Sequence, residues 1–188
     1  MLSNSNRLKL FLFSLLSLFT LSGAISQRAD TAYSIMKNSA QFSFWDSLPA
    51  PTGWVNDFEN LFTTEEERLL DSIINDFKNK TTIEIAIVTL DTYATPKDRF
   101  VELTLHMAQT WGIGVKEKNN GILIGISKGY RKIRIENGRG ITKIISDEET
   151  KNIIDNDFIP SFKEGNYFEG TLVGLMKILE FILKNENH

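Results

Sequence analysis

The residues best suited to chemistry lie between Trp111 and Asp147. Trp111-Gly112-Ile113-Gly114 is followed by Asn119-Asn120-Gly121, which runs into the apolar Ile122-Leu123-Ile124-Gly125-Ile126. Arg134-Ile135-Glu136-Asn137-Gly138-Arg139-Gly140 comes next, then Ile144-Ile145-Ser146-Asp147. Glycines, amides and acids at the ends of apolar strands sit where α/β folds place ligands. Together with Asp57, these residues offer oxygen donors: Asn119, Asn120, Glu136, Asn137 and Asp147. Hard cations such as Ca²⁺ and Mg²⁺ take carboxylate and amide oxygens, with backbone carbonyls that glycines leave accessible. Each residue also has a purely structural reading. Asp147 suits the first turn of a helix, where the helix dipole favours an acid. Asn119-Asn120-Gly121 suits a turn, and Asp57 can cap local amides.

Other chemistries are excluded. There is no Cys and only two His, so thiolate metal sites, Cys nucleophiles and multi-histidine sites are absent. No Walker motif is present, and Gly138-Arg139-Gly140 lacks the third glycine and strand-to-helix context of a dinucleotide fingerprint. Asp155-Asn156-Asp157 opens like a calcium loop, but Pro160 and Asn166 stand where an EF-hand needs Gly and Glu. His106 falls with Glu102, Gln109 and Thr110 on the polar face of its helix and reads as solvated, which argues against a Ser–His–Asp triad. A net charge of −3 with no basic block points away from nucleic acid.

The elements that position these donors follow from periodicity. Thr63 and Glu66 form a capping box ahead of Leu69, Leu70, Ile73, Ile74 and Phe77, predicting a helix over 63–79. Ile83–Leu90 reads as a strand buried on both faces, parallel to a neighbour. A helix over 96–111, a second buried strand over 121–127, a turn at 128–131 and a half-exposed antiparallel strand over 132–137 follow. A capping box at Ser146 and Glu149 opens a helix expected to stop near Pro160, and a core-packing helix covers 167–184. The order predicts a layered α/β domain with a mixed sheet. Loops after the two central strands open on one sheet edge, and the 111–120 loop lies at the other unless it folds over.

The domain is expected over 53–188, with 25–52 a linker or arm whose Phe42, Phe44 and Trp45 either dock or stay exposed. Residues 1–24 read as a signal peptide: Arg7 and Lys9, a run of about 12 apolar residues, then Ser22-Gly23-Ala24. The run is short for a membrane span of roughly 20 residues, and an uncleaved N-terminal anchor is the alternative. Cleavage after Ala24 removes two basic residues and no acid, taking the charge from −3 to −5. Ala24 also stands where a lipoprotein box needs Cys, so no lipid anchor is expected.

In order along the chain, several stretches resemble the TPM domain family. They are Val55-Asn56-Asp57, the helix after it, the strand Ile83–Leu90, Trp111-Gly112-Ile113-Gly114, Asn120-Gly121-Ile122-Leu123, Arg134-Ile135-Glu136 with Gly138-Arg139-Gly140, Ser146-Asp147, Ile159-Pro160-Ser161-Phe162, and Gly165-Asn166-Tyr167 with Gly170. The resemblance implies a three-layer α/β/α sandwich, an extracytoplasmic (periplasmic or secreted) setting, Ca²⁺ or Mg²⁺ binding, and acid phosphatase activity in some members. By that analogy Asp57, Asn119, Asn120 and Asp147 are metal ligands, with Glu136 and Gly138 added. Asn119 stands where the family often has Asp, which removes one negative charge from the site. Two functions follow. One is a monomeric, non-enzymatic cation-binding module acting on or with a membrane protein complex. The other is a metal-dependent phosphatase of low activity, with Asp57 or Asp147 as base or nucleophile and Arg139 holding phosphate.

Overall fold

The computed structural model describes residues 44, 45 and 47–185. The expected signal peptide, most of the arm, and Phe42 lie outside the described residues.

The sheet has four strands in sequential order: β1 (Val55–Asp57), β2 (Glu84–Thr89), β3 (Gly121–Ser127) and β4 (Lys132–Asn137). β1, β2 and β3 are parallel, and β4 returns antiparallel to β3. Its helices are α1 (Thr64–Thr81), α2 (Phe100–Trp111), α3 (Asp147–Ile153), α4 (Ile159–Lys163) and α5 (Tyr167–Asn185). Both central strands are almost wholly buried, as their unbroken apolar runs require.

Alternation along the strands divides the core in two. Ile85, Ile87, Ile122 and Ile124 face α1 and α5, meeting Leu70, Ile74, Leu175 and Ile178. Ala86, Val88 and Leu123 face the other way, meeting Phe100, Leu103 and Met107 of α2. The result is the three-layer sandwich. Both crossovers step the same way across the sheet, from β1 to β2 to β3, yet α1 and α2 cover opposite faces. Two crossovers of one hand would place both helices on one face. These two therefore have opposite hands, and one departs from the strong right-handed preference.

Helix α1 begins at the expected capping box. Thr63 Oγ1 accepts from Glu66 N–H, and the Glu66 carboxylate accepts from Thr63 N–H at 2.7 Å. Thr63→Ala should cost about 1 kcal/mol in a urea melt, the usual worth of an N-cap.

Two expectations need correction. The helix opened by Ser146 does not stop at Pro160. A π turn over Ile154–Phe158 resets the helical register, and Pro160 enters as an early residue of α4. Proline has no N–H to give and its ring crowds the preceding turn, which the wider π turn relieves. His106 is not simply solvated. Trp45 stacks on its ring at 5.6 Å, with the Arg99 guanidinium 3.9 Å from the indole, and the indole N–H donates to Thr95 Oγ1. Phe44 meets Phe58 edge-on, and the Trp111 indole donates to the Pro49 carbonyl at 2.9 Å. The described part of the arm is thus docked on the α2 face. Among the described residues no helix is long and apolar enough to cross a membrane.

Candidate functional site

The parallel strands sort the candidate residues onto two edges of the sheet. Asp57 closes β1 and pairs with Thr89 at the end of β2. Asn119 and Asn120 enter β3 at the other edge, where Gly121 is level with Glu84. Five residues of β2 separate the two levels, about 16 Å at the usual strand rise. The segment 111–120 does not fold over, so Asp57 stays apart from Asn119, Asn120, Glu136, Gly138 and Asp147.

At the Asn119 edge the glycines are used by the backbone. A methyl group on Gly121 would overlap the Ile113 carbonyl oxygen, on Gly138 the Asn119 oxygen, and on Gly140 the Lys118 oxygen. These loops interlock through Gly138 N–H to Gly121 O at 2.8 Å and Gly140 N–H to Asn119 O at 2.9 Å. Asn120 is buried, its Oδ1 accepting from Val115 N–H at 2.8 Å and its Nδ2 donating to the Thr82 carbonyl at 3.0 Å. Glu84 accepts from Gly114 N–H and pairs with Lys78 at 2.9 Å. Glu136 is held by Thr104 Oγ1 and by a two-pronged contact from Arg134. Asp147 is the exposed first residue of α3, behind the Ser146 cap. Asn119, Glu136, Gly138 and Arg139 do line one cavity of about 590 Å³. Asn137 borders it; its Nδ2 donates to Thr150 Oγ1, and its buried Oδ1 has no hydrogen-bond partner among the described residues.

The Asp57 edge is organised differently. Because α1 and α2 cover opposite faces, the chain leaving β1 and the chain leaving β2 part company. The boundary between β1 and β2 is therefore a topological switch point, the kind of position at which open α/β sheets bind ligands in a notch. Around it, Asp57 Oδ2 accepts from Phe62 N–H at 2.8 Å and Oδ1 accepts from the Thr89 hydroxyl. Thr89 Oγ1 in turn accepts from Glu59 N–H. The two Glu59 oxygens accept from Lys128 N–H and Gly129 N–H, both at 2.8 Å. Asp91 accepts from Thr92 N–H. Burial pushes the Glu59 carboxyl above the usual carboxylate range; the two amides pull it back and the Asp91 charge adds to the rise. Burial also raises Glu67, with Asp57 and Asp71 adding to it. Negative charge is concentrated on this edge. Among the described residues, no three acids or histidines stand close enough together to hold a metal ion.

Residues 55–181 match the TPM domain model. The chain belongs to the TPM domain family. Solved structures agree on the fold. The N-terminal domain of a protein from P. gingivalis is 28% identical with a TM-score of 0.64, over 73% of this chain and 86% of that one. The BA42 protein of Bizionia argentinensis is 23% identical with a TM-score of 0.58, over 68% and 86%. The N-terminal domain of cg2496 from Corynebacterium glutamicum is 15% identical with a TM-score of 0.53, over 69% and 79%. No curated protein matches.

In this TPM domain, the sequence names Asp57 as a candidate but not the residues around it. Glu59, Thr89 and Asp91 carry no motif; what gathers them is the position after parallel strands. The notch itself depends on β1, which at three residues is too short for any periodicity to show. Asp57 and Arg139 stand at opposite edges, so they do not form a base-and-phosphate pair.

Proposed function

We propose that this TPM domain is a non-enzymatic module that binds Ca²⁺ or Mg²⁺ at the notch between β1 and β2. Asp57 is the anchor, with Glu59, Thr89 and Asp91 around it. The observation that carries this reading is the gathering of half-buried acids at this sheet edge, where Asp57 and Glu59 both bond to Thr89 and where partial burial and neighbouring negative charge raise Glu59 and Glu67. A cation placed there relieves both. Each carboxylate oxygen of Asp57 takes one hydrogen bond, and a carboxylate offers about four acceptor positions, so lone pairs remain. With few protein ligands, the ion keeps most of its water, as Mg²⁺ commonly does, and binding is weak. The leader-like N-terminus supports work outside the cytoplasm, on or with a membrane protein complex.

The test is a titration with CaCl₂ and with MgCl₂, followed by backbone amide shifts. Amides at Asp57, Glu59, Thr89 and Asp91 should move. Asp57→Asn should weaken binding by about tenfold or more, as expected for losing one charged ligand, while Asp147→Asn leaves it unchanged. No movement at this edge, or movement at Asn119 and Gly138 instead, rejects the notch. The phosphatase alternative has less support, since Asp57 and Arg139 are on different edges. Aryl-phosphate hydrolysis that persists in the Asp57→Asn, Asp147→Asn double variant comes from a contaminant.

A further inference from the structure

A second surface lies beside β4, on the far side of the β3–β4 turn whose Lys128 and Gly129 amides hold Glu59. We propose that it docks an extended acidic peptide segment, which joins the sheet as a fifth strand next to β4.

β4 is an edge strand. The Gly138 N–H bond to Gly121 O marks a hydrogen-bonded pair one step beyond the end of β4. Antiparallel alternation then turns the backbone groups of Glu136, Arg134 and Lys132 toward β3. The N–H and C=O of Ile133 and Ile135 point outward, and no bond from them to another described residue is made. Exposed edges of this kind accept added strands.

Alongside lies a groove of about 840 Å³, between the β3–β4 turn and the corner joining α4 to α5. Lys128, Arg131, Lys132 and Lys163 line it, against the single acid Glu164. In a chain of net charge −3, this basic concentration runs against the background. Lys128, Arg131 and Lys163 form no ion pair with any described residue. Arg131 sits at φ +50°, a left-handed conformation that costs a non-glycine residue energy, and it keeps a cation at the turn. The first residue of α5, Tyr167, also lines the groove, so the positive end of a 19-residue helix opens on it.

The floor is apolar. Ile133 contributes from the strand, and Phe162 stacks with Tyr167 at 4.8 Å. A strand placed here would alternate its side chains: one set lies over the floor with Ile133 and Phe162 and beside Lys128 and Lys163, and the other runs along the opposite face beside Lys132. Charged residues on an edge also deter aggregation. That task needs charge alone and does not call for an apolar floor within the same cavity.

The experiment uses the full chain and a fluorescent hexapeptide alternating Glu with Val. The peptide should bind, and binding should fall steeply with salt. Bound peptide should slow amide exchange at Ile133 and Ile135 by about tenfold or more, since strand addition buries those groups. Reversing the cations with Lys128→Glu, Arg131→Glu and Lys163→Glu should weaken binding by about tenfold or more without lowering the melting temperature. Asp57→Asn should leave binding intact. A Lys–Val peptide that binds equally well overturns the proposal, and so does unchanged exchange at Ile133 and Ile135. Inorganic phosphate or phosphatidylglycerol vesicles that displace the peptide and give the same amide response would make the groove a small-anion or membrane site and also overturn it.

Discussion

Gly121→Ala should be among the most damaging single substitutions in this domain, costing about 3 kcal/mol or more of stability. Typical domains hold only about 5–15 kcal/mol in total, so a large fall in melting temperature is expected. The added methyl has no side chain to displace. It meets the Ile113 carbonyl and the Gly114 amide nitrogen, both backbone atoms, in a strand buried on both faces. Relief would require pulling apart the 112–114 loop, which Glu84 holds through Gly114 N–H and Asn120 holds through Val115 N–H. Gly112→Ala is the control. Gly112 lies only nine positions earlier and has a φ of +65°, but a methyl there meets nothing within 4 Å. Its cost should be about 1 kcal/mol, the price of a left-handed alanine. Equal melting of the two variants would reject the interlocked-loop account.

Phe158→Ala should cost about 3–5 kcal/mol, the range for emptying a buried aromatic site. Phe158 is fully buried at the end of the π turn, and its ring lies against Gly174 of α5 and edge-on to Phe162 at 6.0 Å. A methyl on Gly174 would overlap that ring, and one on Gly170 would overlap the Phe162 ring. The two glycines let α5 approach the bent α3–α4 segment closely, and Phe158 fills the space created. Gly174→Ala should therefore destabilise in the native background and much less in the Phe158→Leu background. Additive losses in a double-mutant cycle would show that the two residues are not coupled.

The large elements were legible because each carries its own signal. Thr63 with Glu66 and Ser146 with Glu149 mark helix starts, and both boxes form as read. The strands over 84–89 and 121–127 carry the apolar runs Ile85–Val88 and Ile122–Ile126. What stayed hidden depends on distant partners. β1 is a strand because β2 lies beside it and Asp71 accepts from Trp54 N–H and Val55 N–H, not because its three residues ask for one. The docking of Trp45 depends on Arg99, His106 and Thr95, fifty or more positions away in sequence. The glycines around Asn119 admit two readings for a physical reason: a ligand cradle and the backbone interlock seen here both require the absence of a side chain, so residue types alone cannot tell them apart. Asp57 can be named from the sequence as an oxygen-bearing candidate, but its neighbours Glu59, Thr89 and Asp91 are assignable only once the strand order is known.

The opposed crossovers divide the domain into an interlocked end and an adjustable one. At the Asn119 end, three loops share backbone contacts, and a change in one disturbs the others. At the Asp57 end, the loops after β1 and β2 form two walls, with Leu61 and Phe62 packed on the α1 face and Phe58, Leu90 and Ala94 on the α2 face. Insertions or substitutions in either wall can reshape the notch without moving the sheet. A single scaffold of this kind can thus acquire different ligands by rewriting two short loops, one wall at a time.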